Sequence, residues 1–231
     1  MLIRCEFKKL KPVRYISHLE LMDTFRRAFR RAQIPVSYTQ GYNPHIILSL
    51  GQPLSVGMTG LAEYFDLELE EKISSDEFLQ VVNKNLPPGI VITEARYVPD
   101  NVKSLQAVVN TAIYLFAMEF KGSVNPELVL KNFLDRKEIK ITRFRRNKED
   151  RELDLAPMIY DAEIDSDNLW RFTVSTGSSG NVRPSEVVRA LSNQEENIKE
   201  IPITGMTREG MFVKKKEKLL KPFSKKVVGG D

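Results

Sequence analysis

FDLELEEKISSDEFLQVVNKNLPPGIVITEARYV (65–98) holds the pattern on which the architecture turns. Phe65, Leu67 and Leu69 alternate with Asp66, Glu68 and Glu70, the period of a strand with one buried face. Ser75 and Asp76 then open a helix through Phe78, Leu79 and Val82, and Pro87-Pro88-Gly89 stops it. Ile90 to Tyr97 returns to a strand. Upstream lies an apolar segment, Ile46–Leu50, separated from Phe65 by a Gly/Pro-punctuated loop. A helix is expected from Ser17 to about Gln33, ended by Pro35. Before it, Ile3, Cys5 and Phe7 alternate with Arg4, Glu6 and Lys8, which predicts a half-buried strand. The order β-α-β-β-α-β is that of the ferredoxin-like unit.

Downstream the scheme repeats more loosely. TAIYLFAMEF (111–120) is apolar on both faces, as a central strand is. Asn125-Pro126 begins a helix through Leu128, Leu130 and Leu134. Strands are expected at 139–144, 153–164 and 169–174, with Trp170, Phe172 and Val174 on one face. A short helix from Pro184 to Leu191 and a closing strand or hairpin at 201–213 complete the half. The expectation is therefore an α+β chain of two ferredoxin-like halves, with antiparallel sheets and helices packed on one face. Residues 1–100 form the first domain and 105–213 the second, and 214–231 form a basic flexible tail.

Composition excludes several classes. The 231 residues are 42% hydrophobic and 29% charged, as in ordinary globular proteins. No apolar run approaches the roughly 20 residues needed to span a bilayer, and MLIRCEFKK has no signal-peptide core. A cytoplasmic protein is expected. Cys5 is the only cysteine, which rules out an intrachain disulfide and any thiolate-only zinc or iron–sulfur site. Its place beside Ile3 and Phe7 predicts a buried structural thiol. The net charge of +4 is concentrated at one end. From Met211 onward, seven lysines face only Glu217 and Asp231, a net of +5, so the other 210 residues sum to −1. That tail is either solubilising or a grip for RNA or an acidic partner.

SHLELMDTFRRAFRRAQIP (17–35) has two faces. Ser17 and Glu20 are spaced as a capping box. Leu21, Phe25, Ala28, Phe29 and Ala32 share an arc, and Arg26, Arg27, Arg30 and Arg31 lie opposite. Like charges at i,i+4 cost a few tenths of a kcal/mol each. Asp23 and the helix C-terminus offset that cost if the face is simply solvated. A phosphate or carboxylate ligand offsets it if the face binds, since guanidinium pairs bidentately with both.

His18 opens the same helix, where the N-terminal dipole disfavours protonation. Asn43 and His45 lie in the turn YTQGYNPH (38–45), and with His18 they are the candidates for acid/base chemistry. No metal-ligand spacing is present, and neither metal nor cofactor is expected. STGSSGNVRPSE (175–186) is either a flexible connection or a loop presenting amides to an anion. It lacks the phosphate-loop lysine, so Arg183 is its candidate contact. RRNKEDRELDL (145–155) reads as a solvated loop.

The runs RYISHLELMDTFRRAFRRAQIPVSYTQGYNPH (14–45) and PLSVGMTGLAEYFDLEL (53–69) resemble a radical-SAM-linked bacterial family of unknown function, in its free-standing form. The shared positions are Arg14, Ser17, His18, Arg27, Arg30, Arg31, Gly41, Asn43, Pro44, Gly57 and Glu63. Asp154 and Arg183-Pro184 match in the second half. Glu20, Tyr42, Ile46 and Gly60 depart from the family's Asp, Phe, Pro and Ser. The chain has no C-x3-C-x2-C, so the resemblance implies an accessory domain working with a radical SAM protein. NKNLPPGIVITEARYV (83–98) is more faintly similar to tRNA pseudouridine synthases, whose catalytic Arg-Thr-Asp has no counterpart here. CRISPR repeat endonucleases also pair two ferredoxin-like units. The leading expectation is a module binding RNA (tRNA or rRNA) or another anionic substrate through Arg14, Arg26, Arg27, Arg30, Arg31 and Arg183. The alternatives are an enzyme centred on His18, Asn43 and His45, and a protein-interaction domain.

Overall fold

The computed structural model describes residues 1–144, 149–165, 169–178 and 180–229. Its elements are β1 (Leu2–Lys9), α1 (His18–Arg31), β2 (Leu48–Leu50), β3 (Thr59–Glu68), α2 (Ser75–Asn85), β4 (Ile90–Val98), α3 (Leu105–Val108) and β5 (Thr111–Ala117). There follow α4 (Pro126–Leu134), β6 (Lys140–Arg143), β7 (Arg151–Asp154), β8 (Ile159–Ile164), β9 (Leu169–Ser175), α5 (Pro184–Ser192), β10 (Met206–Lys215), β11 (Lys218–Leu220) and α6 (Lys225–Val228). The chain is thus a mixed α+β structure.

One nine-stranded sheet runs through the molecule in the order β4-β1-β3-β10-β5-β9-β8, with β2 on β3 and β11 on β10. Its pairs are antiparallel except one. β3 and β10 meet in parallel through Thr59–Thr207 and Gly60–Arg208, and this short seam joins the two halves of the chain. The strands β6 and β7 form a separate ribbon.

Alternation decides what the sheet buries. Ile3, Cys5, Phe7, Phe65 and Leu67 pack against Leu21, Phe25 and Phe29 of α1 and Phe78 and Val82 of α2. Phe25 stands 5.0 Å from Phe7 and 4.8 Å from Phe65, centroid to centroid. In the second half, Tyr114, Phe116, Trp170, Phe172 and Val174 pack against Leu130 and Phe133 of α4 and Val187 and Leu191 of α5. Met206 belongs to this second core. Two residues on, Arg208 reaches Glu63, which shares the Phe65–Leu67 side of β3. Both helical layers therefore cover the same face of the sheet.

The opposite face departs from expectation. Arg4 and Glu6 are buried rather than solvated. Arg4 forms a bidentate pair with Asp66 at 2.7 and 2.9 Å and donates to the carbonyls of Pro222 and Lys103. Glu6 accepts from the Tyr64 hydroxyl at 2.7 Å and pairs with Lys221 at 2.9 Å. The cover comes from the segment expected as a flexible tail. It turns at Lys216, whose φ is +54°, pairs β11 with β10 and buries Phe223 against Tyr64. Its lysines misled the reading because charge counts do not show that Lys221 has Glu6 and Glu94 to meet.

Two boundaries also moved. The strand expected at 153–164 is broken because Asp154 accepts the amides of Ile139 and Ala156, and Pro157 in the following turn has no amide for a ladder. The closing strand begins at Met206, after a turn at Ile203–Gly205 that follows Pro202. Of the expected solvated loop, 145–148 lie outside the described residues. Among the described residues, no helix is long and apolar enough to cross a membrane.

Candidate functional site

The first helix starts where its capping box demands. The Glu20 amide donates to Ser17 Oγ at 3.3 Å, and the Ser17 amide donates to Glu20 Oε2 at 2.6 Å. With that start fixed, the arginine face divides into two rows of different character. Asp23, Arg26 and Arg30 form one row, in which Asp23 pairs with Arg26 at 3.0 Å. Thr24, Arg27 and Arg31 form the other.

This second row lines a groove of about 530 Å³ whose far wall is the α2–β4 connection. Val13, Ile16, Leu86 and Pro87 supply apolar surface, and Lys84 and Asn85 complete the lining. No carboxylate is among these residues. Arg31 reaches across to the Asn85 carbonyl at 2.5 Å, which holds its guanidinium in place without neutralising it. Arg27 and Arg30 are exposed and have no hydrogen-bond or ionic partner among the described residues. A cationic row anchored at Arg31, beside a shallow apolar wall, can hold an anion that also carries a flat, weakly polar part.

A second polar cluster lies inside the molecule, at the seam. Arg208 is fully buried and makes a fork with both oxygens of Glu63, and it also donates to the carbonyls of Gln52 and Pro53. Burial works against its charge, and Glu63 and Tyr114 outweigh that effect, so its pKa is raised. Gly60 makes this possible: a Cβ there would meet Glu63 Oε1 at 2.6 Å. The buried Lys9 donates to the carbonyls of Arg14 and Ile16, at 3.2 and 2.8 Å, and so fixes the entry to α1. Lys9, His18, Gln52 and Glu63 line a small recess of about 10 Å³, the size of one water. Burial depresses the Lys9 pKa, against the pull of Glu63. Burial, with Lys9 second, holds His18 below its ordinary value. The direction for His18 is the one expected from the sequence, with burial as the main cause.

The remaining expected residues are scattered. Asn43 and His45 are exposed in a turn closed by a pair of bonds between Thr39 and His45. Strand β2 places Leu50 opposite Phe65 and Leu48 opposite Leu67, so His45 lies toward the Leu69 end of the sheet, away from Glu63. Neither residue lines the cavity of His18. Among the described residues no His, Cys, Asp or Glu group could hold a metal ion. Arg14 donates to the Tyr15 hydroxyl and the Thr204 carbonyl, fastening the α1 entry to the second half. Arg183 is exposed at the start of α5, distant in sequence and absent from the groove lining. Its amide is taken by Glu186, which Arg143 grips at 2.6 and 2.7 Å. In the same loop a Cβ on Gly177 would strike the Val109 carbonyl at 2.6 Å, so that glycine serves close packing. Ser179 of that loop lies outside the described residues. Lys214 sits over the Tyr160 ring and Lys221 is paired, both on the sheet face opposite α1.

Sequence reading missed Lys84, Lys9 and the Glu63–Arg208 fork. One signal was available for the fork: Glu63 falls on the apolar side of its strand, where an unpartnered carboxylate would be costly.

A family described as uncharacterized protein conserved in bacteria (DUF2344) matches residues 2–184. No curated protein matches the chain. Among solved structures, a chain of the crystal structure of a Cbf5-Nop10-Gar1 complex is similar at 12% identity, with a TM-score of 0.49. The match covers 88% of this chain and 47% of that one, so this chain spans about half its length.

Proposed function

The chain belongs to this family of uncharacterized proteins conserved in bacteria, and from that premise we propose that it is an accessory module that binds RNA for a radical SAM enzyme of the cytoplasm. The observation that carries the reading is the groove of α1, where Arg27, Arg31 and Lys84 stand without a lining carboxylate. Arg30 extends the same charge outward. Arg26, paired to Asp23, and Arg14, bound to Thr204, are positioning residues in this scheme, and Arg183 lies apart from it. The radical SAM partner rests on the sequence resemblance alone.

The same reading takes the two halves as ferredoxin-like domains, residues 1–100 and 105–213. Its support is the strand order, which is β4-β1-β3-β2 in the first half and β10-β5-β9-β8 in the second. In each half the first and third strands in chain order are central and the fourth flanks the first.

Binding of a labelled tRNA across a salt series tests the proposal. Affinity is expected to fall steeply, with log K against log salt declining by about 0.7 to 0.9 for each neutralised phosphate. R27Q and R31Q should each lower that slope by about one unit. No binding even at low salt rejects the RNA reading. Co-purification of a radical SAM protein that survives nuclease treatment would then favour a protein-interaction domain.

A further inference from the structure

Resting on that reading, we propose that the α1 groove takes one unpaired nucleotide, with its base on the apolar wall and its phosphate on the cationic row. The two walls differ in chemistry. Val13, Ile16, Leu86 and Pro87 offer carbon, and Arg27, Arg31 and Lys84 offer charge. A site for phosphate alone has no use for the first wall, and an apolar ligand has no use for the second. A nucleotide uses both.

Size agrees. At about 530 Å³ the groove falls among small-molecule sites, which run from about 300 to 1,000 Å³. Thr24 forms part of the lining, its hydroxyl turned to the Glu20 carbonyl at 2.7 Å. The bond from Arg31 to Asn85 sets the spacing between the walls before any ligand arrives. A duplex keeps its bases stacked inside and brings only phosphate to such a wall, whereas a single strand can turn a base outward.

Competition against a labelled oligouridylate tests this, with three unlabelled probes of matched charge: the oligouridylate, an RNA duplex and inorganic polyphosphate. The single strand should compete about tenfold better than either of the others, the gain expected for burying part of a base face. Thr24→Phe fills the groove from α1 and should abolish the preference while polyphosphate still binds. Leu86→Ala removes apolar wall and should weaken the preference, which keeps the test valid if the first variant melts early. Equal competition by all three probes, better competition by the duplex, or an undiminished preference in both variants overturns the inference and leaves the anion-binding reading standing. No binding of the labelled strand also overturns the inference, and the tRNA salt series then decides whether the RNA reading falls with it.

Discussion

Arg4 and Arg208 are each removed from water, and each survives there because its partner carboxylate and two backbone carbonyls absorb its donors. Deleting one member of such a pair leaves an uncompensated buried charge. Asp66→Ala should therefore cost about 3–5 kcal/mol, measured by urea unfolding. A loss no larger than that of a surface substitution would show that Arg4 finds water on its own. His18 adds a pH dependence. Its folded pKa lies below its ordinary value of 6.5, so the unfolded chain binds the proton more readily. Stability should then rise with pH through that region and fall on acidification. Melting temperatures taken between about pH 8 and pH 5 should decline less steeply in His18→Asn than in the parent. Equal declines would exclude His18 as a contributor.

The first helix shows how much of an element can be foreseen. Its start, its apolar arc and its arginine face were all legible, since each depends on residues within one turn. Ser17→Ala removes one half of the capping box and should cost about 1 kcal/mol, visible as a lower thermal midpoint. Retention of the parental midpoint would mean that packing alone holds the helix start. What the helix meets was not legible. The division of the arginines into a paired row and an open row depends on Asp23 in one direction and on Lys84 and Leu86, some sixty residues away in the chain, in the other. Strand β1 makes the same point in reverse. Its alternation was correct, yet Arg4 and Glu6 are inside because a segment more than two hundred residues later covers them. Local patterns show which side of an element differs. They do not show what arrives to cover it.

At the scale of the molecule, the C-terminal segment is part of the core. Removing residues after Val213 deletes β11 and α6, strips Phe223 from Tyr64 and leaves Arg4 without the Pro222 carbonyl. Burial of one aromatic and one bond to a charged donor together predict a loss of the order of 4 kcal/mol. Chemical denaturation of the truncated chain checks this, and unchanged stability would return the segment to the role of a solvated end. Proteolysis offers a parallel reading, because an attached segment resists cleavage after Lys218 and a loose one does not. The hydrogen bond from Arg4 to Pro222 joins positions 218 residues apart. Contacts of such long sequence separation slow folding, because the connecting chain must be ordered before they form. A ribosome emitting this chain makes β1 more than two hundred residues before the clasp over its guanidinium. The strand therefore waits through the synthesis of those residues before its charge is enclosed, and the nascent chain must keep that edge from other partners until then.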